Sequence, residues 1–280
     1  MYMRRMVLGT AIVLGLLGLM AQGQELVLKG STTVLPLAQL AAEAFWELHP
    51  EVEVSVRGGG SGTGIAALID GTCHIANASR AMKPAEWERA VARGIYPFHW
   101  YIATDGIAVI VHPTNPVQEL TLEELRDIYT GKIRNWKELG GVDLPIVAVS
   151  RDTASGTFEV FKKLVLRGEE VRAPGALFQP SNAAVVASVA PSPGAIGYIG
   201  VGYLNPQVKT VAIARDPAGP FILPTPEAVV ASAYPLTRPL FMITDGFPSG
   251  IVLEFILFIL SDQGQRLVGE AGFVPIRPGL

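Results

Sequence analysis

The run "ELVLKGSTTVLPLAQLAAEAFWELHPEVEVSVR", Glu25 to Arg57, decides the fold class. Its two ends, "ELVLKG" and "VEVSVR", are short runs rich in Leu and Val that read as strands. Between them "PLAQLAAEAFWELHP" repeats its apolar residues along one helical face. Strand, helix and strand in that order are the unit of a parallel sheet, and the pattern continues: "GIAALIDG" predicts a short helix and "HIANAS" another strand. The chain therefore reads as α/β, with a mostly parallel, doubly wound sheet. In such sheets ligands sit at the carboxyl ends of strands, in the loops that lead into helices.

A second series of elements follows "WYIATDGIAVIVHP". Thr121 with Glu124 three residues on forms a capping box that starts a helix, and "LPIVAVS" supplies a strand. "GAIGYIG" and "VKTVAI" predict further strands, whereas the prolines of "YPLTRPLFMIT" assign it to an edge or connecting role. The length of 280 residues, 49% of them hydrophobic, accommodates two medium domains.

Arg4 and Arg5 precede an apolar run, Val7 to Met20, that ends at the small-residue pattern Ala21-Gln22-Gly23. This reads as a secretory signal peptide, residues 1–23, cleaved near Gly23; the alternative, an anchoring helix, needs a longer run than is present. No cysteine follows the run, so a lipid-modified cysteine is not expected. The single cysteine, Cys73, excludes an intramolecular disulfide and has the apolar neighbours of an inert core thiol. Loss of Arg4 and Arg5 takes the formal charge from −3 to −5, a poor balance for a nucleic-acid binder. Mean hydropathy is +0.36, but "IVLEFILFIL" at Ile251 to Leu260 is too short for a membrane span and carries Glu254, so it predicts a buried helix.

Three strand-to-helix junctions share one composition. "KGSTTVLPL" offers Ser31, Thr32 and Thr33; "RGGGSGTG" offers Ser61 and Thr63 among glycines; "SRDTASGT" offers Ser155, Gly156 and Thr157 beside Arg151. A helix N-terminus leaves its first N–H groups unpaired and partly positive, so an anion placed there accepts bonds from amides and nearby hydroxyls. Arg151 adds a planar fork suited to an oxyanion. Taken singly, each loop reads equally well as an ordinary N-cap and turn. Three of them at equivalent topological places point to a tetrahedral oxyanion such as phosphate or sulfate.

With those residues in view, "GSTTVLPLA", "GGGSGTGI", "IANASR", "TLEELRDIYTGKIRNW", "RDTASGT", "PGAIGYIGVGYL", "YPLTRPLF" and "FILSDQGQRLVGEAGFVPI" together resemble, in order and over nearly the whole mature chain, the phosphate-binding receptors of bacterial ABC phosphate importers. The resemblance implies a two-lobed periplasmic-binding-protein fold of type II. It would place lobe I at 24–106 and 237–280 and lobe II at 107–236, with hinges near Thr104–Gly106 and Tyr234–Pro239. It also implies that Thr32, Thr33 and Ser61 contact phosphate from one lobe and Arg151, Ser155, Gly156 and Thr157 from the other. Ser31 either contributes its hydroxyl or only shapes the turn. Arg80 stands where well-known members carry an aspartate that accepts the proton of hydrogen phosphate. It either donates to the anion, weakening discrimination from sulfate, or pairs elsewhere. Asp152 either serves as the acceptor in place of that aspartate or orients Arg151 by a salt bridge.

The implied function is an extracytoplasmic, monomeric receptor for inorganic phosphate that serves the membrane permease and ATPase subunits of an importer, without cofactor or metal. The rival ligands are sulfate or molybdate. An enzyme, such as a phosphate-ester hydrolase, is disfavoured by the motifs. None of the serines lies in G-x-S-x-G, there is no H-E-x-x-H, C-x-x-C or P-loop pattern, and His49, His74, His99 and His112 have no partner spacing.

Overall fold

The computed structural model describes residues 24–277, so the predicted signal peptide lies outside the described residues. The chain opens with β1 (Gln24–Gly30), α1 (Leu35–Leu48), β2 (Val52–Arg57), α2 (Ser61–Ile69), β3 (Ile75–Ala78) and α3 (Pro84–Ala92). A long strand, β4 (Pro97–Val111), leads to β5 (Glu119–Thr121), α4 (Leu122–Thr130), β6 (Val147–Arg151), α5 (Gly156–Leu164), β7 (Leu177–Gln179) and α6 (Asn182–Val189). β8 (Ala195–Gly200), β9 (Lys209–Thr210), β10 (Ala212–Ala214) and α7 (Pro226–Val230) complete that half, and β11 (Thr237–Asp245), α8 (Gly250–Leu260) and α9 (Asp262–Glu270) close the chain.

The strands run β2-β1-β3-β11-β4-β8-β6-β7, with β9 also on β4. β1 is parallel to β2 and β3, and β6 is parallel to β7 and β8. β4 joins the two halves: Pro97–Gly106 pairs antiparallel with β11, and from Ile107 onward the partner is β8. This gives the two-lobed α/β architecture, each half a largely parallel sheet flanked by helices.

Alternation along each strand feeds a core on each face. Ile107, Val109 and Val111 of β4 pack with Leu125, Ile128 and Phe161, while Ala108 and Ile110 pack on the other face with Val185 and Val189. In the first half, Leu26, Leu28 and Ile75 face Leu37 and Phe45 of α1 and Phe255 of α8, and Ala76 and Ala78 face Ile65 and Leu68 of α2. A sheet covered on both faces requires central strands that are largely apolar, as β3 and β8 are, whereas the edge strand β2 alternates apolar with polar residues. Cys73 is buried in this second cluster, where burial pushes its thiol up to about 11.

The capping box at Thr121 is present: Glu124 N donates to Thr121 Oγ1 at 3.1 Å, and Thr121 N donates to Glu124 Oε2 at 2.7 Å. The expectation for "YPLTRPLFMIT" needs correcting, because β11 is an interior strand between β3 and β4. Pro239 is tolerated there because pairing with β3 involves only Phe241–Ile243, so at Pro239 the strand is paired on the β4 side alone. A bulge between Leu240 and Phe241 marks the change. The apolar run at 251–260 lies within the 11-residue α8, with Phe255, Ile256, Phe258 and Ile259 buried; no helix among the described residues is long and apolar enough to cross a membrane.

Candidate functional site

In the first lobe, β1 ends one residue before Ser31, whose Oγ accepts from Thr33 N at 3.1 Å and Val34 N at 3.4 Å. The Ser31 oxygen is thus engaged in the turn, and that turn sets Thr32 and Thr33 ahead of α1. Ser61 opens α2; its Oγ accepts from Ser79 N at 3.0 Å and lies 3.3 Å from Ser79 Oγ, which ties the second loop to the end of β3. Thr63, by contrast, is turned to its own loop, donating to the Gly59 carbonyl at 2.8 Å.

In the second lobe, Ser155 caps α5 by accepting from Phe158 N at 3.2 Å, so its hydroxyl hydrogen remains available. Arg151 ends β6 and is 1% exposed. Its Nε donates to the Gln179 carbonyl at 3.1 Å, and its Nη2 donates to the Pro180 carbonyl and to Thr32 Oγ1, both at 3.0 Å. Nη1 is buried and makes no hydrogen bond among the described residues. The fork is therefore aimed by two carbonyls, with one nitrogen left over as a donor. Burial pushes the guanidinium down to about 10, a value that still leaves it charged at neutral pH.

The two lobes meet here. Thr33 Oγ1 lies 3.0 Å from Thr157 Oγ1, Arg151 reaches Thr32, and Gly62 N donates to the Ala154 carbonyl at 3.0 Å. Two glycines permit the approach. A Cβ on Gly156 would stand 2.3 Å from Ser61 Oγ and 2.6 Å from Ser79 Oγ, and one on Gly60, at φ +97°, would stand 2.5 Å from the Ala154 carbonyl oxygen. Ser31, Thr32, Thr33, Ser61, Arg151, Ser155, Gly156 and Thr157 are all brought together and all buried.

Of the two remaining candidates, Arg80 is engaged elsewhere. Arg80 pairs with Glu86 through Nη1 and Nη2, both at 2.7 Å, and its Nη1 also donates to the Ala81 carbonyl. Its Nε is buried and makes no hydrogen bond among the described residues. Asp152 forms no ion pair with Arg151; of the two roles expected for it, that of orienting Arg151 is taken by the carbonyls of Gln179 and Pro180, because the end of β7 lies alongside β6 there. The Asp152 Oδ1 atom is buried and unbonded among the described residues.

Sequence reasoning missed the residues beneath the threonines. Arg238 is 2% exposed and pairs with the fully buried Asp105 at 2.7 Å; its Nη2 donates to Thr33 Oγ1 at 3.2 Å and its Nη1 to the Ser79 carbonyl at 3.4 Å. Burial drives Asp105 up and Arg238 down, each toward its neutral form, and the contact between them opposes both shifts. Asn182, also fully buried, donates from Nδ2 to both Thr32 Oγ1 and Thr33 Oγ1 at 3.2 Å. Tyr203 donates to the Thr32 carbonyl. Arg238 lies inside the "YPLTRPLF" motif, so a charged residue in an apolar segment was the available signal; Asn182 gave none.

A two-lobed α/β fold whose lobes meet over buried hydroxyls, amides and a guanidinium defines a solute-binding protein for an anion. Comparison with known proteins specifies the family. A family model described as "PBP superfamily domain" matches residues 20–263. The phosphate-binding protein PstS of Bacillus subtilis (strain 168) is 34% identical over 262 residues, covering 91% of this chain and 84% of that protein. PstS of Pseudomonas aeruginosa is 31% identical over 264 residues, covering 88% and 81%. Among solved structures, a phosphate ABC transporter substrate-binding protein from Clostridium perfringens with bound phosphate superposes with a TM-score of 0.82 at 34% identity, covering 91% of this chain and 100% of that one. An ABC-type phosphate transport receptor from Vibrio cholerae gives 0.71 at 32% identity, covering 89% and 99%. The chain belongs to the PBP superfamily and, within it, to the PstS family.

Proposed function

We propose that this chain is an extracytoplasmic solute-binding protein that captures inorganic phosphate between its lobes and delivers it to the permease and ATPase subunits of an ABC importer, working as a monomer. The observation that carries this reading is the convergence of Thr32, Thr33 and Ser61 from one lobe with Arg151, Ser155, Gly156 and Thr157 from the other. Charge supports an anion: Arg80 is balanced by Glu86 and Arg238 by Asp105, whereas among the described residues Arg151 has no carboxylate partner and its Nη1 makes no hydrogen bond.

In the proposed cycle, Thr32, Thr33 and Ser61 hold the anion first. The segment 107–236 then rotates about Thr104–Gly106 and Tyr234–Pro239, bringing Arg151 and the start of α5 against it. Phosphate stabilises the closed form because only that form satisfies all its oxygens. The relatives that support this reading are transport receptors, and the chain's own role is binding, not catalysis.

The test is calorimetric titration of protein unfolded and refolded to strip bound anion. Saturable uptake of one phosphate per chain is expected. A protein that ignores phosphate while saturating with sulfate or molybdate would reassign the ligand. Turnover of a chromogenic phosphate ester would reassign the class.

A further inference from the structure

We propose that Asn182 is a positioning residue that fixes the hydroxyls of Thr32 and Thr33 as hydrogen-bond donors to the ligand; this rests on the phosphate-receptor reading. A threonine hydroxyl has one hydrogen to give and two lone pairs to fill. Thr32 Oγ1 accepts from Arg151 Nη2 at 3.0 Å and from Asn182 Nδ2 at 3.2 Å. Thr33 Oγ1 accepts from Arg238 Nη2 and from Asn182 Nδ2, both at 3.2 Å. All four bonds come from groups that can only donate, so both lone pairs of each threonine are filled and each hydroxyl hydrogen must point away from them. Thr157 Oγ1, 3.0 Å from Thr33 Oγ1, is the acceptor within reach of the Thr33 hydrogen in this structure, and an anion oxygen is the natural acceptor for both threonines once ligand is bound.

The orientation of the Asn182 amide is itself fixed. Its Oδ1 accepts from the Gly200 N–H at 3.2 Å, so Nδ2 is the atom that faces the threonines, and its two hydrogens serve one threonine each. Asn182 belongs to α6 of the second lobe, whereas Thr32 and Thr33 stand at the start of α1 in the first. The donor orientation is therefore set only when the lobes are together, which links closure to the hydrogen-bonding character of the site. Arginines at Thr32 and Thr33 supply half of the arrangement, and Asn182 supplies the half common to both.

The experiment is a double-mutant cycle on anion-stripped protein, titrated with inorganic phosphate. Asn182→Ala is expected to weaken binding by about tenfold, the scale of two neutral hydrogen bonds. In a Thr33→Val background the same substitution should cost several-fold less, because one of the hydroxyls it orients is gone. An equal cost in both backgrounds would overturn the proposal, since a purely structural role does not depend on the threonine hydroxyl. Asn182→Asp supplies a second reading that preserves shape: its carboxylate accepts from the threonines and so redirects their hydrogens, and it should bind phosphate more weakly than Asn182→Ala. Binding by Asn182→Asp as strong as wild type would also overturn it. Failure of the wild-type protein to bind phosphate would instead remove the functional reading on which the proposal stands.

Discussion

At the scale of the residue, the guanidinium of Arg151 has the most at stake. It is buried, held by two carbonyls and Thr32, and keeps Nη1 as its remaining donor. Arg151→Ala is expected to weaken phosphate binding by about 1.5–3 kcal/mol, the range for a hydrogen bond to a charged group, or roughly tenfold to over a hundredfold, read by calorimetry. The loop donors were legible in the sequence because three strand ends carry the same small hydroxyl and glycine chemistry immediately before helices. Asn182 and Arg238 were not, because their role depends on partners far away in sequence. Arg238 meets Asp105 across 133 positions and Thr33 across 205, and Asn182 meets Thr32 across 150. Ser31 Oγ accepts from the amides of Thr33 and Val34, which shapes the turn and leaves its hydrogen as the group it has to donate.

At the scale of the element, the start of α3 binds Arg80 in place. Glu86 accepts from Lys83 N at 2.8 Å while holding Arg80 through both oxygens. Burial alone would raise the Glu86 carboxyl, but the bonds from Arg80 and the Lys83 amide hold it below its ordinary 4.5. A carboxyl with a lowered folded value contributes stability that is present above the ordinary value and lost as the pH falls through the folded one. Glu86→Gln should therefore cost about 1.5–3 kcal/mol at neutral pH in urea denaturation. The gap to wild type should close on acidification below about 4.5, where the wild-type carboxyl is itself protonated. A gap that stays constant with pH would show that charge is not what Glu86 supplies. Helix starts and parallel strands were readable at this scale because local capping and apolar runs set them, as at Thr121 and along β1 and β2. The interior placement of β11 was not, because Pro239 signals an edge and only the register shows that the β3 ladder begins two residues later.

At the scale of the whole molecule, two features govern closure. Gly156 must lack a side chain for the second lobe to meet Ser61 and Ser79. Gly156→Ala should overpack the junction by about 1–3 kcal/mol and weaken phosphate binding by roughly tenfold to a hundredfold, with the melting temperature of the ligand-free protein little changed. At the rim, Lys83 of the first lobe bonds Glu159 of the second at 2.8 Å, with side chains 45% and 25% exposed. A pair this accessible is worth little and is screened by salt. Lys83→Met should therefore speed phosphate release by no more than about fivefold at low ionic strength and not at all near 1 M salt, as read by stopped-flow. The two-lobed arrangement was legible from the repeated strand–helix series and the family motifs, whereas the contacts across the cleft join residues that no local pattern relates. Donors from both lobes are proposed to grip one anion, and a crystal structure of the protein grown with phosphate will show whether they do. A single tetrahedral anion is expected within hydrogen-bond reach of Thr32, Ser61, Arg151 and Ser155 at once; phosphate held by one lobe alone, or bound elsewhere on the surface, would rule out the two-lobed grip.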